Sequence, residues 1–321
     1  MKRSMTVWLI VAGVLILSGA VLFAAVMSAR NWDFASLDNH TYKETEFEIK
    51  EPFEHIDVQG DTEDILILPS GDGTCRVVVK EPEYRVPACA VQNGTLTVTI
   101  EDRSKPSDHF GFSFEKERSV AVYLPEGEYG TLSVKEHTGK VTVREFSFER
   151  ISISTTTGDV YCDASAKGEL RIGTDTGDIR LTGVSAGSAD LSVTTGDVGA
   201  DTVSCAGDLG VTVTTGITQL KNVTCGNLKT NGGTGSVRME NLTADGQILI
   251  RRTTGDIRFD RCDAAELSVR TDTGDVKGTL RSDKIFLVRT DTGDVSVPDT
   301  LIGGKCEIVT DTGDIEIKIE G

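Results

Sequence analysis

Seven aspartates stand out by type and spacing: Asp159, Asp178, Asp197, Asp256, Asp275, Asp294 and Asp314. Each directly follows a glycine. A second set, Asp175, Asp272, Asp291 and Asp311, sits three residues before members of the first. Carboxylates repeated at one spacing can do three things. They can bond backbone N–H groups in a tight turn, bind a hard cation such as calcium through oxygen, or present an edge that reads a ligand. Stacked like charges repel, so each column needs partners. Arg180, Arg258 and Lys277 lie close in sequence, and Arg251, Arg270 and Arg289 form a further basic column. The turn reading is the leading expectation. Calcium and a ligand edge are its alternatives, and no other cofactor is expected.

The glycines set the frame. Gly158, Gly177, Gly196, Gly216, Gly235, Gly255, Gly274, Gly293 and Gly313 recur at 19 or 20 residues, with Gly139 as a degenerate first copy. Asp follows in most copies, but Lys140, Ile217 and Ser236 replace it. A sharp corner that needs positive φ explains a glycine at each position. The two consecutive losses at Ile217 and Ser236 mark a local break in the aspartate column.

Aligned on the glycine, apolar columns appear. Seven residues before it come Ile151, Leu170, Ala189, Leu209, Leu228, Ile248, Leu267, Phe286 and Cys306, and two after it Val or Ile recurs. The alternation has period two, which predicts strands with one buried face. A unit this short cannot bury its own face, so copies must stack. The expected fold is all-β: a β-solenoid of about ten coils, roughly 48 Å long at one strand spacing per coil. An antiparallel sandwich or propeller is the alternative, since Gly-Asp also serves hairpins. The sequence ends just after the last copy, so that coil is the expected open edge of the rod, kept soluble by Glu316, Lys318 and Glu320.

Residues 44–137 hold less regular strand-like runs and read as an irregular β region or cap; residues 138–321 hold the regular repeats. Phe110, Phe112 and Phe114 alternate in polar surroundings, as a core-packed strand or an exposed partner-binding edge would.

At the N-terminus, residues 6–27 carry no charge and are long enough to span a bilayer. Lys2 and Arg3 precede them, which favours a cytoplasmic start at residues 1–5 and an extracytoplasmic body after a linker at residues 28–43. A cleaved signal, leaving a secreted body, is the alternative. Export permits disulfides. Of seven cysteines, Cys75 and Cys89 are the expected pair.

Fifty acidic residues against 33 basic ones give a net charge of −17. That balance argues against nucleic acid as a partner. No histidine lies beyond His137, and no G-x-S-x-G, H-E-x-x-H or P-loop pattern occurs. No enzyme is expected. The enzymatic alternative is a polysaccharide-processing activity on a β-helix scaffold, using a carboxylate pair.

Phe53-Glu54-His55-Ile56, Val122-Tyr123-Leu124-Pro125 and the repeated Thr-Gly-Asp-Val phrase resemble the bacterial "putative adhesin" β-strand-repeat family, over roughly residues 44–321. That family includes membrane-anchored proteins of cell-envelope stress operons. The resemblance implies an uncatalytic envelope module that binds a cell-surface ligand or a membrane protein partner, or an accessory subunit of envelope-stress signalling. It carries over no binding residue and no oligomeric state.

Overall fold

The computed structural model describes residues 2–32, 41–104 and 118–320. The aromatic run Phe110, Phe112 and Phe114 lies outside them. Helix α1 (Lys2–Ala29) contains an apolar stretch, Val7–Ala29, long enough to cross a membrane. It is the anchor of a body made only of strands.

Those strands are β1 (Tyr42–Ile49), β2 (His55–Gln59), β3 (Asp64–Pro69), β4 (Cys75–Pro82), β5 (Arg85–Gln92), β6 (Thr95–Asp102), β7 (Ser119–Leu124), β8 (Glu128–Thr138) and β9 (Val141–Val143). Then come β10 (Ser147–Thr157), β11 (Val160–Cys162), β12 (Ser165–Thr176), β13 (Ile179–Thr182), β14 (Ser185–Thr195), β15 (Val198–Cys205), β16 (Leu209–Thr215), β17 (Thr218–Cys225) and β18 (Leu228–Thr234). The last are β19 (Val237–Glu240), β20 (Thr243–Thr254), β21 (Ile257–Thr273), β22 (Val276–Leu280), β23 (Lys284–Thr292), β24 (Val295–Ser296), β25 (Gly304–Thr312) and β26 (Ile315–Ile319).

Successive copies pair in parallel and in register. Ile151 lies opposite Leu170, which lies opposite Ala189 and then Leu209, as the aligned columns require. This is a β-solenoid. The parallel register excludes the antiparallel sandwich or propeller. One long face carries the strand before each corner and a second carries the strand after it. A short third side stacks Phe148, Ala166, Ala186 and Cys205, and further on Cys225, Ala244 and Ala264. Small side chains suit this narrow side, and buried cysteine there acts as a small hydrophobe. The apolar columns form one continuous core.

The two ends depart from sequence order. At the N-terminal end β2 and β3 stack beneath β8 and β9, and β6 and β7 lie outside them. The region expected to be irregular thus supplies two true coils. Antiparallel β1, β4 and β5 close that end. At the other end β25 lies between β21 and β23, and β26 lies between β22 and β24. The coil that comes last in sequence is therefore an inner layer, and the open edge expected there belongs to β23 and β24. Ile285, Leu287 and Val295 are exposed on that edge, while Cys306 and Ile308 of the inserted coil are fully buried. The basic column is interrupted for the same reason: Val309 pairs with both Arg270 and Arg289.

The expected Cys75–Cys89 bridge is absent, and all seven cysteines are free thiols. Cys75 on β4 pairs opposite Ile49 of β1, whereas Cys89 on β5 pairs opposite Val98 of β6. The two lie on separately paired strands of the end cap, β4 beside β1 and β7 and β5 beside β6, and both pack against the core as thiols.

Candidate functional site

The aspartate column forms a hydrogen-bonded ladder between coils. Asp159 Oδ1 accepts the backbone N–H of Asp178 at 2.9 Å, Asp178 that of Asp197 at 2.9 Å, and Asp197 that of Ile217 at 2.7 Å. After the break it resumes: Asp256 accepts from Asp275, Asp275 from Asp314, and Asp314 from Asp294, at 2.9 to 3.1 Å. The final steps follow the spatial order of the coils. The ladder has a member that the repeat phrase hides. Asp64 Oδ1 accepts the N–H of Lys140 at 2.8 Å, although Glu63 stands where other coils have glycine.

The glycines explain themselves by stacking as well as by φ. Gly158, Gly177 and Gly196 have φ between 136° and 144°, and a Cβ on any of them would collide with the carbonyl oxygen of the preceding corner glycine. The same holds at Gly216, Gly235, Gly255, Gly274, Gly293 and Gly313, each meeting the corner of its spatial neighbour. Inward threonines complete the corner: Thr174 and Thr310 donate their hydroxyls to the carbonyls of Gly158 and Gly274, both at 3.2 Å.

Two residues beyond the ladder aspartate, a basic side chain balances it. Arg180 lies 2.8 Å from Asp178, Lys277 lies 2.8 Å from Asp275, and Arg258 lies 3.7 Å from Asp256. Lys277 also reaches Asp314, and the pairing and hydrogen bonds hold both carboxyls below their ordinary values. The second column, Asp175, Asp272, Asp291 and Asp311, is exposed, with Asp291 paired to Arg289 at 2.8 Å. Among the described residues no group of three or more His, Cys, Asp or Glu is placed to hold a metal ion.

The coils without aspartate carry further departures that the sequence reading passed over. Arg252 occupies the inward column where most other coils place Thr or Val, and it is only 4% exposed. Its guanidinium runs along the rod past Gly232, donating to the Val213 carbonyl at 2.8 Å and to Thr218 Oγ1 at 2.6 Å. Thr218 itself replaces the apolar residue of its column. Among the described residues no carboxylate pairs with Arg252, and burial lowers its pKa to about 10, so it stays cationic at neutral pH. Over the same coils the second face holds a cavity of about 510 Å³. Gln219, Arg238, Arg258 and Lys277 stack along it one per coil.

A second cluster of buried charge sits where the cap meets the rod. Arg85 lies 2.6 Å from Glu63, 3.2 Å from Asp61 and 3.4 Å from Glu81. Burial, then the nearby Glu63, pushes Glu81 up to about 8, and the same causes push Glu136 up to about 8. This cluster packs coil ends together; its carboxylates come from one turn, Asp61 and Glu63, and from two separate strands, β4 and β8, which is why no spacing signals it.

The sequence matches the Toastrack family DUF4097 over residues 53–216 and 206–321, and the chain belongs to that family. No curated protein matches it. Solved structures with a similar course include a "putative adhesin" of Bacteroides fragilis, 14% identical, covering 88% of this chain and 99% of that one, with a TM-score of 0.43. A "putative lipid binding protein" of Parabacteroides distasonis is 13% identical over 87% of this chain and 98% of its own, TM-score 0.48. A "putative cell adhesion protein" of Clostridium sporogenes is 13% identical over 87% of this chain and 100% of its own, TM-score 0.26. The chain is a membrane-anchored, extracytoplasmic β-repeat protein of this family.

Proposed function

We propose that the protein is a non-enzymatic binding module of the cell envelope, adhesin-like in use, which displays the sides of a stiff rod outside the membrane. The observation that supports this best is the stack of parallel coils, with equivalent residues paired from coil to coil, beyond one membrane-spanning helix. A rod of this kind offers rows of side chains at one coil spacing on long flat faces, a surface suited to extended partners. The aspartate ladder serves as the spine of that rod: its Oδ1 atoms are committed to backbone N–H groups. A role beside envelope-stress signalling proteins is the finer form of this reading, and it comes from the sequence resemblance.

The test is crosslinking in intact cells from a reactive group placed on the exposed position Arg180 or Arg238, followed by identification of what is captured. A wall or neighbouring-cell component is the expected capture. Recovery of the uncrosslinked chain from both positions would defeat the reading.

A further inference from the structure

The two ends of the rod are finished differently. An open strand edge is a template for pairing with another chain, and proline or charge placed on it blocks that pairing. At the N-terminal end the outer strands are β5 and β1, which pair with β6 and β4. Strand β5 carries Pro87, and β1 carries exposed Lys43, Glu44, Glu46 and Glu48, so that end is blunted. At the tip the outer strands are β23 and β24, which pair with β25 and β26 and have no partner on the other side among the described residues. Neither contains proline. The charges of β23 are already met: Arg289 lies 2.8 Å from Asp291, and buried Lys284 lies 2.7 Å from Asp263.

The tip also leaves core columns uncovered. Val295 stands in the column of Val276 and Ile315, which are fully buried, yet it is 46% exposed. Phe286 and Val288 stand in the columns of Cys306 and Ile308, also fully buried, and are themselves only half-buried. Ile285, Leu287, Leu301 and Ile302 are exposed in the same layer. Outside α1 and Trp32, these four and Val295 are the large apolar side chains exposed among the described residues. Exposed apolar side chains gathered in one place mark an interaction site.

The occupant must fit this cross-section. A single extended peptide covers one edge, β23 or β24, and leaves the core columns between them open. A second tip covers both. A two-fold axis normal to the face of β23 reverses the strands and keeps the inward columns inward. Strand β23 then meets its copy antiparallel, β24 does the same, and Phe286, Val288 and Val295 of the two chains close one core. Charge permits this contact. Residues 284–303 hold two cations, Lys284 and Arg289, against three aspartates, Asp291, Asp294 and Asp299, a net of −1 in a chain of −17. The blunted strands at the other end oppose head-to-tail growth, so the contact closes as a pair. We propose that the tip layer, residues 284–303, docks tip to tip on a second copy of this chain. This surface goes beyond the binding-module reading and does not depend on it. Helix α1 leads into β1 at the blunted end, so the pair carries its two anchors at its outer ends.

The test weighs the full chain in detergent micelles by sedimentation velocity across micromolar concentrations. Wild type is expected to reach the mass of two chains and to grow no further. Leu287→Lys places a charge on the open edge beside Arg289 of the partner copy. Leu287 points outward and is 52% exposed, so this variant is expected to melt with wild type and to stay a single chain. Ala90→Lys adds the same charge to exposed β5 at the other end and is expected to pair as wild type. Hydrogen exchange supplies a readout that needs no variant: β23 amides are expected to slow as the protein concentration rises, and β5 amides to keep their rate. A wild-type chain that stays single throughout overturns the proposal. So does a pair that survives Leu287→Lys, because α1 or another surface then holds it. Loss of the pair in Ala90→Lys, or assemblies that keep growing with concentration, would mean head-to-tail contact and would equally overturn it.

Discussion

Arg252 fills the space that Gly232 leaves: a Cβ on Gly232 would overlap Arg252 Nη1 and the Val213 carbonyl oxygen. The two residues face each other from adjacent coils, Gly232 opposite Arg252 in the register of β18 and β20. One departure from the column thus requires the other.

Gly232→Ala should therefore destabilise the rod by about 2–4 kcal/mol, since overpacking adds to displaced hydrogen bonds. Part of that loss should return in Gly232→Ala/Arg252→Ala, where the long side chain is gone. Denaturant unfolding of the four proteins of the cycle measures the coupling. Strict additivity would mean that the two positions do not share the space.

Removing a rung of the ladder should cost about 1 kcal/mol, the worth of a typical side-chain cap on a backbone N–H. Asp178→Ala strips the cap from Asp197 and frees Arg180. Ile217 already lacks a carboxylate, so Ile217→Ala should show the cost of lost packing but no loss of a cap. Hydrogen exchange at the Asp197 amide distinguishes the two, with faster exchange expected only in Asp178→Ala.

Stability should fall as pH rises from about 4.5 to about 8. Glu81 and Glu136 have folded pKa values near 8 against an ordinary 4.5. Between those values the folded chain holds protons that the unfolded chain has released, so raising pH favours unfolding. The groups around Glu81 are Glu63, Arg85 and Arg118; those around Glu136 are Glu63, Asp61 and the backbone N–H groups of His137 and Thr138. Two of these neighbours are basic, too few for all the carboxylates to ionise freely. Glu81→Gln/Glu136→Gln should flatten the pH dependence, read from urea midpoints at pH 5 and pH 8. An unchanged slope would show that these two groups do not govern it.

Thiol reagents should react slowly with the native chain at neutral pH. Burial pushes Cys75, Cys162, Cys225 and Cys306 up to about 12, and six of the seven thiols are buried. Cys89 is the partly exposed one, so it should label first, with the rest following only on unfolding. Mass spectrometry of the labelled sites settles the order.

Much of the rod was legible because a solenoid writes its geometry into spacing. Each corner glycine touches the glycine one coil away, so a 19- or 20-residue period in sequence is also a contact in space. Asp64 escaped because its preceding residue is Glu63, and the glycine was the search handle. The stacking order at the ends was illegible for a different reason. Strands β23 and β25 present the same inward columns, so period and polarity are equally satisfied whichever lies outside. Arg252 and Gly232 were visible as departures, but their compensation depends on a side chain that crosses coils. The charge cluster around Arg85 gathers from turns and strands with no common spacing.

The inserted coil gives the rod a constraint on its assembly. A stack built in chain order could zip from the membrane outward as the polypeptide emerges, each new turn landing on the last. Here β25 pairs with both β21 and β23, and β26 with both β22 and β24. Lys284–Ser296 therefore has no native seat until Gly304–Ile319 has arrived to lie beneath it. The outermost layer must wait for the strands made after it, so completion of the tip is a late, cooperative event that joins two coils at once.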